Sequence, residues 1–201
     1  MRGQTFNGRP CAISIYSERL NLSSSWDVDL ETWLFWMRDP HVNRYLVKGG
    51  LRYNMSDLKE FLNSSLDDSN GLFFFIIDNK TGHHVGNFSV RECDFTTASC
   101  SIGLLIGSSQ YWGRGYGRES CCAAFDFIFT VMNFKVIQFD VAIENNAAVN
   151  MYLSLGCIPN NTPRIIKSHN SSKLEVDVYS IEKQNYIEKY ARENHSQKYS
   201  T

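Results

Sequence analysis

Apolar positions along this chain fall into two periods, and the switches between them mark out its elements. From Asp27 to Met37, Leu30, Trp33, Leu34 and Met37 keep the i, i+3, i+4, i+7 spacing of one helical face. Pro40 ends that helix. His41 to Leu46 reads as a short second helix before Gly49-Gly50. Ser56 is placed to cap a third helix running to about Leu66, with Leu58, Phe61, Leu62 and Ser65 on one face. Leu72-Phe73-Phe74-Phe75-Ile76-Ile77 is apolar on both faces, as a central buried strand requires. Asn79-Lys80-Thr81-Gly82 signals a hairpin turn, followed by strands over His84 to Glu92 and Ala98 to Ile106. A long helix is predicted from about Tyr116 to Met132, with Cys121, Cys122, Phe125, Ile128, Phe129 and Met132 at 3.6-residue spacing. Lys135 to Ala142 alternates as a strand with Ile137, Phe139 and Val141 inward, and Asn145 to Leu155 returns to the helical period through Ala148, Met151, Tyr152 and Leu155. Ile13 to Leu22 reads as a first strand; Arg164 to Ser168 and Leu174 to Ile181 read as the last two. This order predicts an α/β (α+β) fold, a single mixed, mostly antiparallel sheet with helices on both faces.

A length of 201 residues fits one domain, here 1–183, with a polar C-terminal tail over 184–201 as a helical or frayed appendage. The 43% hydrophobic and 13% aromatic content is enough for a sizeable core and excludes global disorder. A net charge of -1 offers no basic field for nucleic acid. No run of 18 apolar residues is present, so no membrane span is expected. Met1 to Arg9 lacks the apolar core of a signal peptide, and a cytoplasmic location follows. The six cysteines show no CxxC or metal spacing, which predicts free thiols and no metal.

The stretch Tyr111-Trp112-Gly113-Arg114-Gly115-Tyr116-Gly117-Arg118 carries the chemistry. Three alternating glycines lie between an apolar strand and an amphipathic helix. Glycine lets a backbone turn tightly and come close to a ligand, and the helix start presents free N–H groups and a positive dipole end. Together they make a phosphate cradle. A P-loop would read GxxxxGK[ST], a string this chain lacks. A dinucleotide fingerprint starting at Gly115 and Gly117 puts Ser120 at the third position, and Asp140 lies mid-strand instead of at the strand end where a ribose is held.

The run Ile102-Gly103-Leu104-Leu105-Ile106-Gly107 followed by the Trp112-to-Glu119 segment resembles the strand–loop–helix block of the GNAT acetyltransferases, in particular their RimJ/RimL-like branch. The segment from Glu144 to Cys157 is similar to the family's Asn-x-x-Ser-x-x-x-Tyr-x-x-Leu-Gly-Phe motif, with Ala148 for Ser and Cys157 for Phe. Leu174 to Ile181 resembles the family's last hairpin strand, and Glu18-Arg19-Leu20 its opening. The resemblance spans about Ser14 to Lys183 and implies the GNAT fold and transfer of an acetyl group from acetyl-CoA, as cosubstrate, to a primary amine of a small-molecule acceptor.

It also implies roles. Backbone N–H groups from Gly113 through Arg114, Gly115, Tyr116, Gly117 and Arg118 would cradle the pyrophosphate. Gly103, Leu104, Leu105 and Ile106 would pair with the pantetheine as a strand does. Asn145 would contact the cofactor or simply cap its helix. Tyr152 would protonate the leaving thiolate, its phenol being protonated at neutral pH, or would be a core aromatic on the helix stripe. Such transfer also needs a neutral amine and a stabilised oxyanion. For the base, Ser101 stands where relatives often carry Glu; Glu92, Asp94, Asp140, Glu144, His83 and His84 remain candidates, each with a solvated surface as its default, and an exposed hairpin tip for the two histidines. Cys121 and Cys122 read as packing residues. Trp36, His41, Arg44, Tyr45, Lys48, Arg52 and Tyr53 form an aromatic and basic group suited to a phosphate-bearing or sugar-like acceptor, or else an ordinary amphipathic surface. Val85-Gly86-Asn87 looks most like branch members that acetylate nucleotide-linked amino sugars in surface-polysaccharide synthesis. Protein N-termini and polyamines stay open as acceptors, a non-catalytic acyl-CoA-binding module or a dinucleotide oxidoreductase as other classes, and a homodimer as the assembly common among relatives.

Overall fold

The computed structural model describes residues 4–6, 9–25, 27–47, 53–167 and 173–198. Its elements in chain order are β1 (Gln4–Phe6), β2 (Arg9–Cys11), β3 (Ser14–Tyr16), β4 (Leu20–Ser23), α1 (Leu30–Arg38), α2 (Pro40–Asn43), α3 (Met55–Leu66), β5 (Leu72–Asp78), β6 (His84–Asp94), β7 (Ser99–Ile106), α4 (Tyr116–Asp126), β8 (Val136–Ala142), α5 (Asn146–Leu155), β9 (Ile158–Pro159), β10 (Arg164–Lys167), β11 (Lys173–Glu182) and α6 (Lys183–Lys198). The main sheet runs β10-β11-β8-β7-β6-β5-β4-β3, with β9 also on β11; β1 and β2 form a separate hairpin. Every described pairing is antiparallel except β7 with β8, which α4 joins as a crossover helix. The mixed, mostly antiparallel sheet expected from the chain is present.

Helix boundaries follow local chemistry. Asp29 caps α1 by accepting from the Glu31 N–H, and Asp39 caps α2, with Pro40 at its first position. Asn54, not Ser56, caps α3: its side chain accepts from Ser56 and Asp57 N–H while Asp57 returns a bond to the Asn54 N–H. Gly156, at φ 92°, ends α5 in the left-handed conformation.

Two cores flank the sheet. On one face α4 and α5 cover Phe74, Phe88, Ile102, Ile137 and Phe139; on the other α1 and α3 cover Phe73, Phe75 and Ile77. β5 is buried along its whole length, as its apolar run predicts.

Two of the expected element bounds need correcting, and the tail takes the helical of its two readings. The first strand is broken at Ser17–Arg19 into β3 and β4, a hairpin in which Ser17 N–H donates to the Leu20 carbonyl. The long helix is α-helical only to Asp126 and then widens into a π turn over Phe127–Val131, where the Thr130 hydroxyl donates to the Asp126 carbonyl at 2.6 Å. The polar tail is helical from Lys183, and its Tyr186 is buried against Phe125 and Phe129. The Gly49-Gly50 and Ser168 boundaries, with Lys48 and Arg52, lie outside the described residues. No described helix is long and apolar enough to cross a membrane.

Candidate active site

β7 and β8 pair only at Ser99 with Val136 and Cys100 with Ile137, although β7 continues to Ile106 and β8 to Ala142. Beyond those pairs the two strands part and open a V in the middle of the sheet. The Gly107 N–H donates to the Val85 carbonyl at 3.0 Å, extending the Gly86–Ile106 register by one residue. Such bonds alternate along an antiparallel ladder. The amides of Gly103, Leu105 and Gly107 therefore face β6, and the backbones of Ile102, Leu104 and Ile106 face the V. Arg91 Nη2 donates to the Ile102 carbonyl at 2.9 Å, and Trp112 Nε1 to the Ile106 carbonyl at 2.7 Å.

The glycine-rich loop sits at the mouth of the V. Gly113 (φ 68°) and Gly115 (φ 83°) occupy left-handed conformations that other residues adopt only with strain. Gly117 sits in close quarters: a Cβ there would lie 3.2 Å from Met151 Sδ and 3.6 Å from Leu104 Cδ2. Arg19 Nη1 donates to the Arg114 carbonyl at 3.0 Å. In a trans peptide the next N–H points the opposite way, so the Gly115 N–H is turned from the β3–β4 hairpin. The same arginine binds Glu119 in the first turn of α4 at 2.6 Å, and Glu119 also accepts from the Arg19 N–H and the Ser17 hydroxyl, both at 2.8 Å. Burial pushes the Glu119 carboxyl up, but these bonds outweigh it and hold it below the usual carboxylate value. The Tyr116 side chain leaves the loop: its hydroxyl donates to Asp78 at 2.7 Å and the Arg19 guanidinium covers its ring at 4.6 Å. Arg114 folds back onto the Gln110 carbonyl at 3.3 Å.

On the α4/α5 face, Tyr152 is buried against Phe139 at 4.5 Å between ring centroids. Its hydroxyl lies beside the Cys121 thiol, and burial pushes both groups well above their ordinary values. Both are thus held protonated, and Cys121 packs as expected. Asn145 caps α5, its side chain accepting from the Ala148 N–H at 3.2 Å.

The opposite face carries Ser89 and Arg91 of β6 beside Ser101 and Gly103 of β7, in register as Ser89–Gly103 and Arg91–Ser101. Farther along, His84 departs from the exposed hairpin tip expected of it. A β-bulge between Ile76 and Ile77 shifts the register at that end. The imidazole is packed among Trp33, Trp36 and Phe75, with centroids at 5.9, 4.9 and 5.6 Å. With the Asn87 amide turned to satisfy its neighbours, its nitrogen donates to His84 Nε2 at 2.9 Å and its oxygen accepts from Trp33 Nε1 at 3.3 Å. Burial lowers the His84 pKa, and Nδ1 finds no partner among the described residues. His83 is exposed.

The other base candidates are committed to structural bonds or sit on the surface. Asp140 takes both oxygens to Arg164 Nη2, at 2.8 and 2.7 Å; Asp94 accepts the N–H groups of Thr96 and Thr97; Glu92 is exposed in a left-handed conformation. Glu144 lies 3.8 Å from Arg44, and its carbonyl accepts from the Tyr45 hydroxyl at 3.0 Å, so α2 reaches across to the end of β8. Within the aromatic and basic group, Trp36 and Tyr53 are buried and His41 is exposed. Sequence reasoning missed Arg91 and the clamp made by Arg19, since each acts on residues brought near only by the sheet.

The acetyltransferase (GNAT) domain model matches residues 19–158. An N-acetyltransferase called p20 from Bacillus licheniformis is 23% identical over 86% of this chain and 98% of its own length. The spermidine N(1)-acetyltransferase of Vibrio cholerae is 23% identical over 62% of this chain and 64% of its own. In structure, a spermidine N-acetyltransferase from Vibrio cholerae solved with CoA and spermine aligns with a TM-score of 0.73 at 21% identity, covering 85% of this chain and 99% of that one. The opened strand pair, the glycine loop at its mouth and the match over residues 19–158 agree: the chain belongs to the GNAT acetyltransferase family and is an acetyl-CoA-dependent N-acetyltransferase.

Proposed function

We propose that the chain acetylates the primary amine of a small acceptor reaching the V from the α1–α3 face. The observation that carries this is the parting of β7 from β8 directly beside a left-handed glycine loop. Acetyl-CoA supplies the thioester acyl group. The N–H groups from Gly113 to Arg118 hold its pyrophosphate, the Leu104 backbone pairs its pantetheine, and Asn145 stands beside it. Tyr152 is the proton donor; burial keeps its phenol protonated, and rotation about the Cζ–O bond aims its hydrogen. We place the chain in the RimJ/RimL-like branch on its Trp112-to-Gly117 core. The catalytic unit is residues 1–183, to which 184–201 adds an appendage docked through Tyr186. Free thiols at Cys93, Cys100, Cys121 and Cys157 fit a cytoplasmic setting.

The acceptor we favour is a nucleotide-linked amino sugar, used in surface-polysaccharide synthesis. Asp140 and Glu144, carboxylates that could attract a polycation, are paired with Arg164 and Arg44. Polyamine acetylation is the second reading, favoured by the relative named spermidine N(1)-acetyltransferase. Thiol release from acetyl-CoA, measured against UDP-linked amino sugars, spermidine and N-terminal peptides, separates them. Turnover confined to spermidine reverses the order, and release with none of these acceptors removes the acceptor assignment.

A further inference from the structure

A glycine at position 103 leaves bare backbone on the face opposite α4 and α5. A Cβ built there would lie 2.7 Å from Ser89 Oγ and 3.5 Å from Arg91 Nη2. The hydroxyl and the guanidinium therefore converge over the space a side chain would fill. That space lies three residues past Cys100, the last point where β7 touches β8, so it opens onto the apex of the V. Arg91 donates one N–H to the Ile102 carbonyl at 2.9 Å. The ion pairs Arg19–Glu119, Arg44–Glu144 and Arg164–Asp140 do not draw on Arg91. The remaining N–H donors of its planar fork are matched in geometry to a carboxylate or phosphate.

We propose that Arg91, with the Ser89 hydroxyl, is the specificity-determining anchor of the acceptor, and binds an anionic oxygen group, carboxylate or phosphate, carried close to the amine that is acetylated. The position fits the reaction's needs from two sides. An arginine at the apex repels an acceptor whose charge is purely cationic, and it attracts one whose anion leads the amine in. It also disfavours the protonated form of the incoming amine, which must be neutral to attack. Arg91 lies across the sheet from Tyr152, so acceptor recognition and proton donation come from opposite faces of the same opening.

This rests on the acetyl-transfer reading above. The test uses the full chain with acetyl-CoA and two matched pairs of amines: glucosamine 6-phosphate against glucosamine, and glycine against methylamine, with spermidine alongside. Steady-state thiol release is paired with calorimetric titration of the same amines into the CoA-loaded protein. The wild type should prefer the anionic member of at least one pair, and which pair responds tells phosphate from carboxylate. Arg91→Ala should erase that preference through a rise in KM or Kd of about 10- to 100-fold, the loss of one or two charge-assisted bonds. Use of the partner lacking the anion should change far less than use of the anionic member, affinity for acetyl-CoA should hold, and Arg91→Lys should recover part of the preference. Equal use or binding of both members of both pairs, spermidine preferred to all four, or a preference surviving Arg91→Ala overturns the proposal. Loss of acetyl-CoA binding by the wild type would instead strike the acetyl-transfer reading.

Discussion

Arg19 and Glu119, one hundred residues apart in the chain, meet at 2.6 Å and fasten the β3–β4 hairpin to the first turn of α4. Because Arg19 also takes the Arg114 carbonyl, the pair fixes the glycine loop from outside. Glu119→Gln should lower global stability by about 1.5–3 kcal/mol, the range for a hydrogen bond to a charged group, and weaken acetyl-CoA binding with it. The pH sign follows from the depressed carboxyl. Its contribution is complete above the ordinary Glu value of 4.5 and is lost as pH falls through the lower folded value. Melting temperatures between pH 3 and 7 should fall more steeply at the acid end for wild type than for Glu119→Gln; parallel curves would remove the clamp from the account.

Tyr152→Phe keeps the ring against Phe139 and deletes only the hydroxyl. It should reduce kcat by about 10²- to 10⁴-fold, the usual worth of a placed proton donor, with little change in acetyl-CoA affinity. An unchanged kcat would make Tyr152 a core aromatic whose hydroxyl has no part in the transfer.

His84 carries the opposite charge type in a dry cage. Its pKa is lowered by burial, so the folded state resists the proton that the unfolded chain accepts near 6.5. The stability it confers is present above that value and declines as pH drops below it. His84→Phe, which suits a cage of Trp33, Trp36 and Phe75, should flatten stability between pH 7 and 5. Chemical denaturation at several pH values reads this directly.

The Trp36 ring fills the space beside Gly107 where a Cβ would stand, so a side chain at 107 would collide with it. Gly107→Ala should cost about 1–3 kcal/mol in urea unfolding, as overpacking does. Because this contact joins helix α1 to the end of β7, acceptor KM should also rise. A variant as stable as wild type would show that the ring moves aside freely.

Much of this architecture was legible in local pattern. The periods of α1 and α5, the doubly apolar β5 and the alternating glycines all express short-range chemistry, and so does the motif carrying Tyr152 and Asn145. What escaped depended on register between distant segments. Nothing near Ser99 or Val136 says that their pairing stops one residue later. His84 escapes a local reading because a bulge at Ile76/Ile77 shifts the register at its end of the strand. Arg91 reads as any strand arginine until Gly103, twelve positions beyond it, is seen to sit opposite Ser89 on the adjacent strand. Asn54 and Ser56 are both good caps by sequence, and only the reciprocal bond with Asp57 separates them.

The claim at the centre is that acetyl-CoA lies between the glycine loop and the opened strand β7. Gly117 tests it most directly, since its hydrogen faces Met151, Leu104 and Ile106 where any branched side chain would fill the slot. Calorimetric titration of acetyl-CoA into wild type and Gly117→Val, with circular dichroism to confirm folding, is the measurement. Saturable binding by wild type and at least a tenfold loss in a folded Gly117→Val is the predicted result. Equal affinity in the two proteins would place the acyl donor elsewhere and contradict the account.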